Sequence, residues 1–194
     1  YHRSLGTGQY LTLNENYAAN SFAYVTAVSS TTFSVSNQFQ TNGLTTPTPE
    51  TYVAYVFAHD DAKFGTGGNE SIIKCGSYTS TSGSDPHEVN LGFEPQWIMI
   101  KNTGSSSAYA PWIMFDNMRG VATGGNDAAL SANYADAEGS TYNYAANFID
   151  FTPTGFKTFP SNTPSNVDTG NFIYMAIRRP NKPPEAAINV LAIA

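Results

Sequence analysis

The sequence predicts an all-β protein made of tandem antiparallel β-sandwich domains, the first of them incomplete at its N-terminus. Three observations predict it. Apolar residues fall in short runs rich in β-branched and aromatic side chains, the pattern of strands rather than helices. Clusters of Gly, Pro, Asn and Asp separate those runs and supply the backbone angles that reversals need. Four islands of sequence also recur in order: Tyr1–Gly6 answers to Phe115–Gly120, Tyr10–Asn14 to Ala129–Asn133, Thr32–Val35 to Gly155–Thr158 and Thr51–Phe57 to Asn171–Ile177. Their offsets are 114, 119, 123 and 120 (115 − 1, 129 − 10, 155 − 32, 171 − 51). A period this long makes each unit a small domain rather than a solenoid or propeller repeat.

Taken in order, Phe22–Val28, Thr32–Ser36 and Thr51–Ala58 read as strands of the first unit. Ile72–Tyr78, Gln96–Lys101, Trp112–Phe115, Phe148–Phe151, Gly155–Phe159 and Asn171–Ile177 read as strands of the second. Tyr52–Phe57 and Phe172–Ile177 are apolar on both faces, which fits central strands covered on both sides. Leu91-Gly-Phe-Glu-Pro-Gln-Trp97 pairs a Gly/Pro corner with the buried run Trp97–Ile100, and Trp97 and Trp112 are expected in the core. The one helical candidate is the Ala-rich stretch Asp127–Glu138, short at most. The block Ser71–Pro111 has no first-unit counterpart, because Tyr1 already aligns with Phe115. The expected division is therefore 1–66 as the C-terminal half of a first repeat and 67–180 as a complete second repeat. Residues 181–194 are expected as a Pro-rich linker and the start of a following segment of a longer polypeptide.

Composition narrows the function. Only 12% of the 194 residues are charged, about half the globular average of about 25%, so Ser, Thr, Asn, Gly and Tyr must carry the polar surface. A net charge of −6 without a basic cluster beyond Arg178-Arg179 argues against nucleic acid, whose affinity comes from phosphate neutralisation. No apolar run approaches the roughly 20 residues that cross a bilayer as a helix, so membrane insertion is not expected. The single cysteine, Cys75, has no disulfide partner within the chain and reads as a small buried hydrophobe rather than a nucleophile.

The segments Cys75–Thr79, Leu91–Trp97, Phe115–Gly120, Thr152–Phe156 and Phe172–Arg179 together resemble a repeated β-domain of large virion structural or tail-fibre-like proteins of marine tailed phages, cyanophages among them. The resemblance covers nearly the whole chain. It implies a virion component and carries no catalytic residues with it.

Candidate chemistry is sparse. A glycoside-cleaving site needs two facing carboxylates, and the candidates are Asp60, Asp61, Glu94, Asp116 and Asp127. Isolated loop acids at strand ends are more commonly solvated or capping groups. The cluster His59-Asp60-Asp61 and the loop Gly124–Asp127 offer metal ligands but lack EF-hand or paired-histidine spacing, and His2, His59 and His87 are dispersed. No metal and no cofactor is expected. The tyrosines Tyr109, Tyr134, Tyr142 and Tyr144 lie in polar stretches and are the candidate ligand-binding residues, because exposed Tyr gives rigid contact area with a hydrogen-bonding tip.

The expectation is thus a non-enzymatic virion structural protein, a tail fibre or surface decoration at the tail or particle surface. Its partners would be other virion proteins and copies of itself, a trimer favoured, with a host surface glycan as the attachment ligand. The alternatives are a carbohydrate-active tailspike domain and a bacterial extracellular adhesin.

Overall fold

A computed structural model of the chain describes residues 1–41, 43, 51–65, 67–80, 86–106, 110–121, 127–135, 137–138, 147–159 and 170–180. Among these every regular element is a β-strand and every pairing is antiparallel. The all-β expectation holds. Asp127–Glu138 contains no helix among its described residues; instead it holds the short strand Leu130–Ser131, since small apolar residues alone give no stripe for a helix to bury.

The N-terminal third carries four short strands, β1 (Gln9–Tyr10), β2 (Asn20–Ser21), β3 (Val25–Val28) and β4 (Phe33–Val35). They form two separate two-stranded ribbons, β1-β2 and β3-β4. The remaining strands are β5 (Ile73–Ser80), β6 (His87–Asn90), β7 (Pro95–Asn102), β8 (Ile113–Asp116), β9 (Leu130–Ser131), β10 (Ile149–Thr152), β11 (Gly155–Thr158) and β12 (Gly170–Arg178). They build a five-stranded sheet, β5-β12-β7-β8-β9, and a three-stranded sheet, β10-β11-β6.

The two sheets share one apolar core. Tyr78, Ile98, Ile100, Ile113, Phe115, Phe172, Tyr174 and Ala176 enter it from the large sheet, and Ile149 and Phe156 from the small one. Leu91 and Phe93, either side of the corner glycine, join them. Gly92 has a φ of 77°, and the N–H groups of Leu91 and Gly92 both donate to the Thr154 carbonyl, so this corner ties the two sheets together. Stacked and edge-on rings fill the centre, with Tyr78 and Phe172 at 4.8 Å and Phe156 and Tyr174 at 5.5 Å between centroids.

Alternation along the strands places the other residues on the opposite face. There the ladder aligns Cys75, Met175, Met99 and Met114 in one row and Ile73, Ile177 and Trp97 in the next. These seven residues make this part of the outer face apolar, as the pattern of Phe172–Ile177 requires, and each is buried or half-buried. Trp97 and Trp112 are accordingly half-buried outside the core cluster, a correction to their expected place.

The N-terminal segment is stitched to this sheet by hydrogen bonds distant in sequence. The Trp112 indole donates to the Thr12 carbonyl at 2.9 Å, Ala19 N–H to the Thr103 carbonyl at 2.8 Å, and Ala18 N–H to the Ser106 hydroxyl at 2.9 Å.

Two hairpins share one pairing. Val28 pairs with Phe33 in β3-β4 and Phe151 with Phe156 in β10-β11, at the same offset of 123 for both members (151 − 28, 156 − 33). In contrast, Thr51–Ala58 forms no strand. Its side chains are exposed, Val53 at 78%, Tyr55 at 84% and Val56 at 72%, whereas its counterpart β12 lies paired on both edges. A run with strand-forming residues becomes a strand only when neighbours supply the ladder, and among the described residues none does so here.

Candidate functional site

Chemistry-bearing side chains meet at two places, both made where chain from the first third reaches the five-stranded sheet. The first is the edge strand β5. His59 Nδ1 accepts the N–H of Cys75 at 3.0 Å, and Asp60 N–H donates to the Ile73 carbonyl at 2.8 Å. These bonds cover part of an edge that would otherwise offer open donors and acceptors. A backbone turn with positive φ at Asp60 (51°) and Ala62 (49°) leads the chain away again. On the neighbouring strand, His2 receives Ser4 N–H at Nδ1 (3.2 Å) and therefore donates from Nε2 to the Tyr174 carbonyl (3.1 Å). The hydrogen-bond network thus assigns neutral imidazoles with the proton on Nε2 to both histidines.

The electrostatics agree with that assignment. Burial pulls the pKa of His2 down, against the Tyr174 carbonyl bond, and burial also lowers His59, with Arg3 adding to it and Asp60 opposing. Asp60 is held below the ordinary carboxylate value, first by the Ser71 hydroxyl and then, against some burial, by Lys74, whose Nζ lies 3.7 Å away. Burial pushes the Cys75 thiol up, with Arg3 pulling the other way, so at neutral pH it remains a thiol and a weak nucleophile. The cluster therefore holds two neutral imidazoles and a thiol beside the ion pair of Asp60 with Lys74. It joins the N-terminal segment and residues 59–60 to strands β12 and β5.

The second place is Lys101. Its side chain is fully buried, and its ammonium donates to the carbonyls of Asn102 (2.8 Å), Ala110 (2.9 Å) and Asn16 (3.2 Å), with Ser105 further off at 3.5 Å. Burial pushes its pKa down to about 8. Lys101 thereby fastens β7, Ser105, Ala110 and the N-terminal segment at one point. Sequence reasoning missed it; the available signal was a lysine ending the otherwise apolar run Trp97–Ile100.

Each of the five candidate carboxylates is engaged by its own neighbours. Asp60 faces Lys74 at 3.7 Å, Asp61 faces Lys63 at 3.2 Å, and Glu94 binds Arg179 at 2.7 Å. Asp116 accepts the N–H groups of Met118 (3.0 Å) and Arg119 (2.9 Å) and pairs with the Arg119 guanidinium at 2.9 Å. The motif Phe115–Gly120 is thus a capped turn that closes on Gly120 at a φ of 106°. Asp127 is buried, and its Oδ2 accepts both Phe148 N–H at 2.6 Å and Ile149 N–H at 2.9 Å, fixing the start of β10. The second strand-exit arginine, Arg178, pairs with Glu70 at 2.6 Å.

Of the four candidate tyrosines, Tyr134 is half-buried just beyond β9, beside Asn133, whose side-chain oxygen accepts Trp112 N–H at 2.9 Å. Tyr109, Tyr142 and Tyr144 lie outside the described residues, as does the expected linker 181–194. Among the described residues no three His, Cys, Asp or Glu side chains are grouped to hold a metal, and no helix is long and apolar enough to cross a membrane.

No curated protein and no solved structure matches the chain. Residues 1–180, from the His2 turn to the end of the strand-exit Arg178-Arg179 pair, match the family described as Domain of unknown function (DUF7483), and the chain belongs to that family.

Proposed function

We propose that the chain is a non-enzymatic structural protein of a virion, a tail fibre or surface decoration built from tandem β-sandwich repeats. It assembles with other virion proteins and with copies of itself, a trimer being the favoured state, and its loop tyrosines meet a host surface glycan.

The observation that carries this reading is where the fold leaves apolar surface. Of the sixteen large hydrophobic side chains exposed among the described residues, fourteen lie in residues 1–64, from Tyr1 and Leu13 to Phe57 and Phe64. A soluble monomer seldom presents so much contiguous chain of this kind, and such surfaces mark sites of association. The carboxylates point the same way, since a glycoside-cleaving pair must face a sugar across a gap of about 5–9.5 Å, whereas each of the five is tied to a local cation or to backbone N–H groups. The sequence resemblance to phage virion proteins supports the setting.

Mass spectrometry of purified particles tests it. Peptides of this chain at a fixed stoichiometry to the other particle proteins are expected; their absence from the particle, or cleavage of a host polysaccharide by the chain, would overturn the reading.

A further inference from the structure

We infer that residues 52–57 and the edge of β4 away from β3 form a docking site for one specific partner, the three strands equivalent to β5, β6 and β7 from another unit of the same repeat. This deepens the assembly reading above and rests on that part of it, not on the virion setting.

The argument begins with β12. Its residues Phe172, Tyr174 and Ala176 face the core and Ile173, Met175 and Ile177 the outer side, and it is flanked by β5 on one edge and β7 on the other. At the offset of 120 that the sequence gives, Tyr52, Val53, Tyr55, Val56 and Phe57 take the places of Phe172, Ile173, Met175, Ala176 and Ile177. They carry the two-sided apolar pattern of a central strand, yet all five are exposed.

The hairpin tells the same story independently. β11 pairs with β10 on one edge and with β6 on the other. β4 copies β11 in its pairing with β3, but among the described residues no strand lies along its second edge, and Phe33 and Val35 are exposed. The strands that flank β12 and β11, but that no described residue supplies to 52–57 and β4, are thus the equivalents of β5, β6 and β7. In the second unit these three come from one continuous stretch, residues 73–102. One insertion of such a block would cover both exposed surfaces. Main-chain ladders would supply affinity, and the alternating apolar side chains would set register. An uncharged stretch from Thr51 to Ala58 leaves nothing to repel an apolar strand.

The test joins a copy of residues 71–114 ahead of Tyr1 of the full chain, so that the repeat order leads into Tyr1 as it leads into Phe115. Hydrogen–deuterium exchange is then read at 52–57 and at β4. The expected result is exchange slowed by at least about tenfold there relative to the chain alone, with β12 amides unchanged as the internal measure of folding. Tyr55→Asp should remove the new protection and Met118→Asp, at an exposed site outside both surfaces, should not. Two results overturn the inference. One is no added protection while β12 remains protected; the other is protection of 52–57 already present in the chain alone and rising with its concentration, which would assign the site to a second copy. Absence of the chain from particles would end the virion reading without touching this result.

Discussion

Replacing Asp127 by alanine separates a structural acid from a catalytic one. The carboxylate is buried, and one of its oxygens receives the N–H groups of Phe148 and Ile149 at 2.6 and 2.9 Å, where the chain enters β10 and the core. Both donors are buried and cannot turn to water once the acceptor is gone. An orphaned buried donor costs about 1–3 kcal/mol, so two cost about 2–6 kcal/mol. That is comparable with the whole stability of a domain, about 5–15 kcal/mol. Asp127→Asn keeps one side-chain oxygen able to accept both bonds, and the expected loss falls to about 1–2 kcal/mol. Urea unfolding followed by tryptophan fluorescence measures the difference, since Trp97 and Trp112 sit on the sheet that β10 helps to cover. A shift of the midpoint at unchanged slope is the expected signature. If Asp127→Ala stayed within about 0.5 kcal/mol of the parent while abolishing cleavage of a polysaccharide, Asp127 would be a catalytic group and the structural argument would fail.

Three further outcomes follow from the geometry. A Cβ at Gly155 would overlap the carbonyl oxygen of Val89 on the paired strand β6, so Gly155→Ala should cost about 1–3 kcal/mol or more and lower the thermal midpoint, with β6 amides losing protection first. Because burial lowers the pKa of His2 and His59 in the folded state, their contribution to stability is complete above about pH 6.5 and is lost as pH falls through the lower folded values. Faster exchange of the Cys75 amide on acidification would report it, and exchange independent of pH after correction for the intrinsic rate would refute it. Lys101 titrates near 8 when folded and near 10.5 when unfolded, so the unfolded chain binds the extra proton between those values. Unfolding free energy should therefore rise by up to about 3 kcal/mol as pH increases across that window, and Lys101→Met should abolish that rise.

The sequence made the interior strands legible because burial there is encoded locally. Phe172–Ile177 is apolar on both faces, and the structure places it between two strands with apolar rows on either side. The same pattern in Tyr52–Phe57 misled, because strand formation is decided by what lies alongside, and that information is not in the run itself. β6 was missed for the opposite reason: His87-Glu-Val-Asn90 is too polar to signal a strand, and it pairs only along one edge of β11. Local chemistry was partly readable. Asp116 caps the turn two and three residues onward, within reach of a spacing argument, whereas Asp127 serves amides 21 and 22 residues away and Lys101 gathers carbonyls from Asn16 to Ala110. Such long-range partners appear only with the fold.

The measurement that tests the central claim most directly is a cryo-electron map of purified particles at side-chain resolution. The account predicts density for this chain on the tail or particle surface, with residues 52–57 lying between strands of another repeat unit. Absence of the chain from the particle, or a groove in which two of Asp60, Asp61, Glu94, Asp116 and Asp127 face a bound sugar, would contradict it.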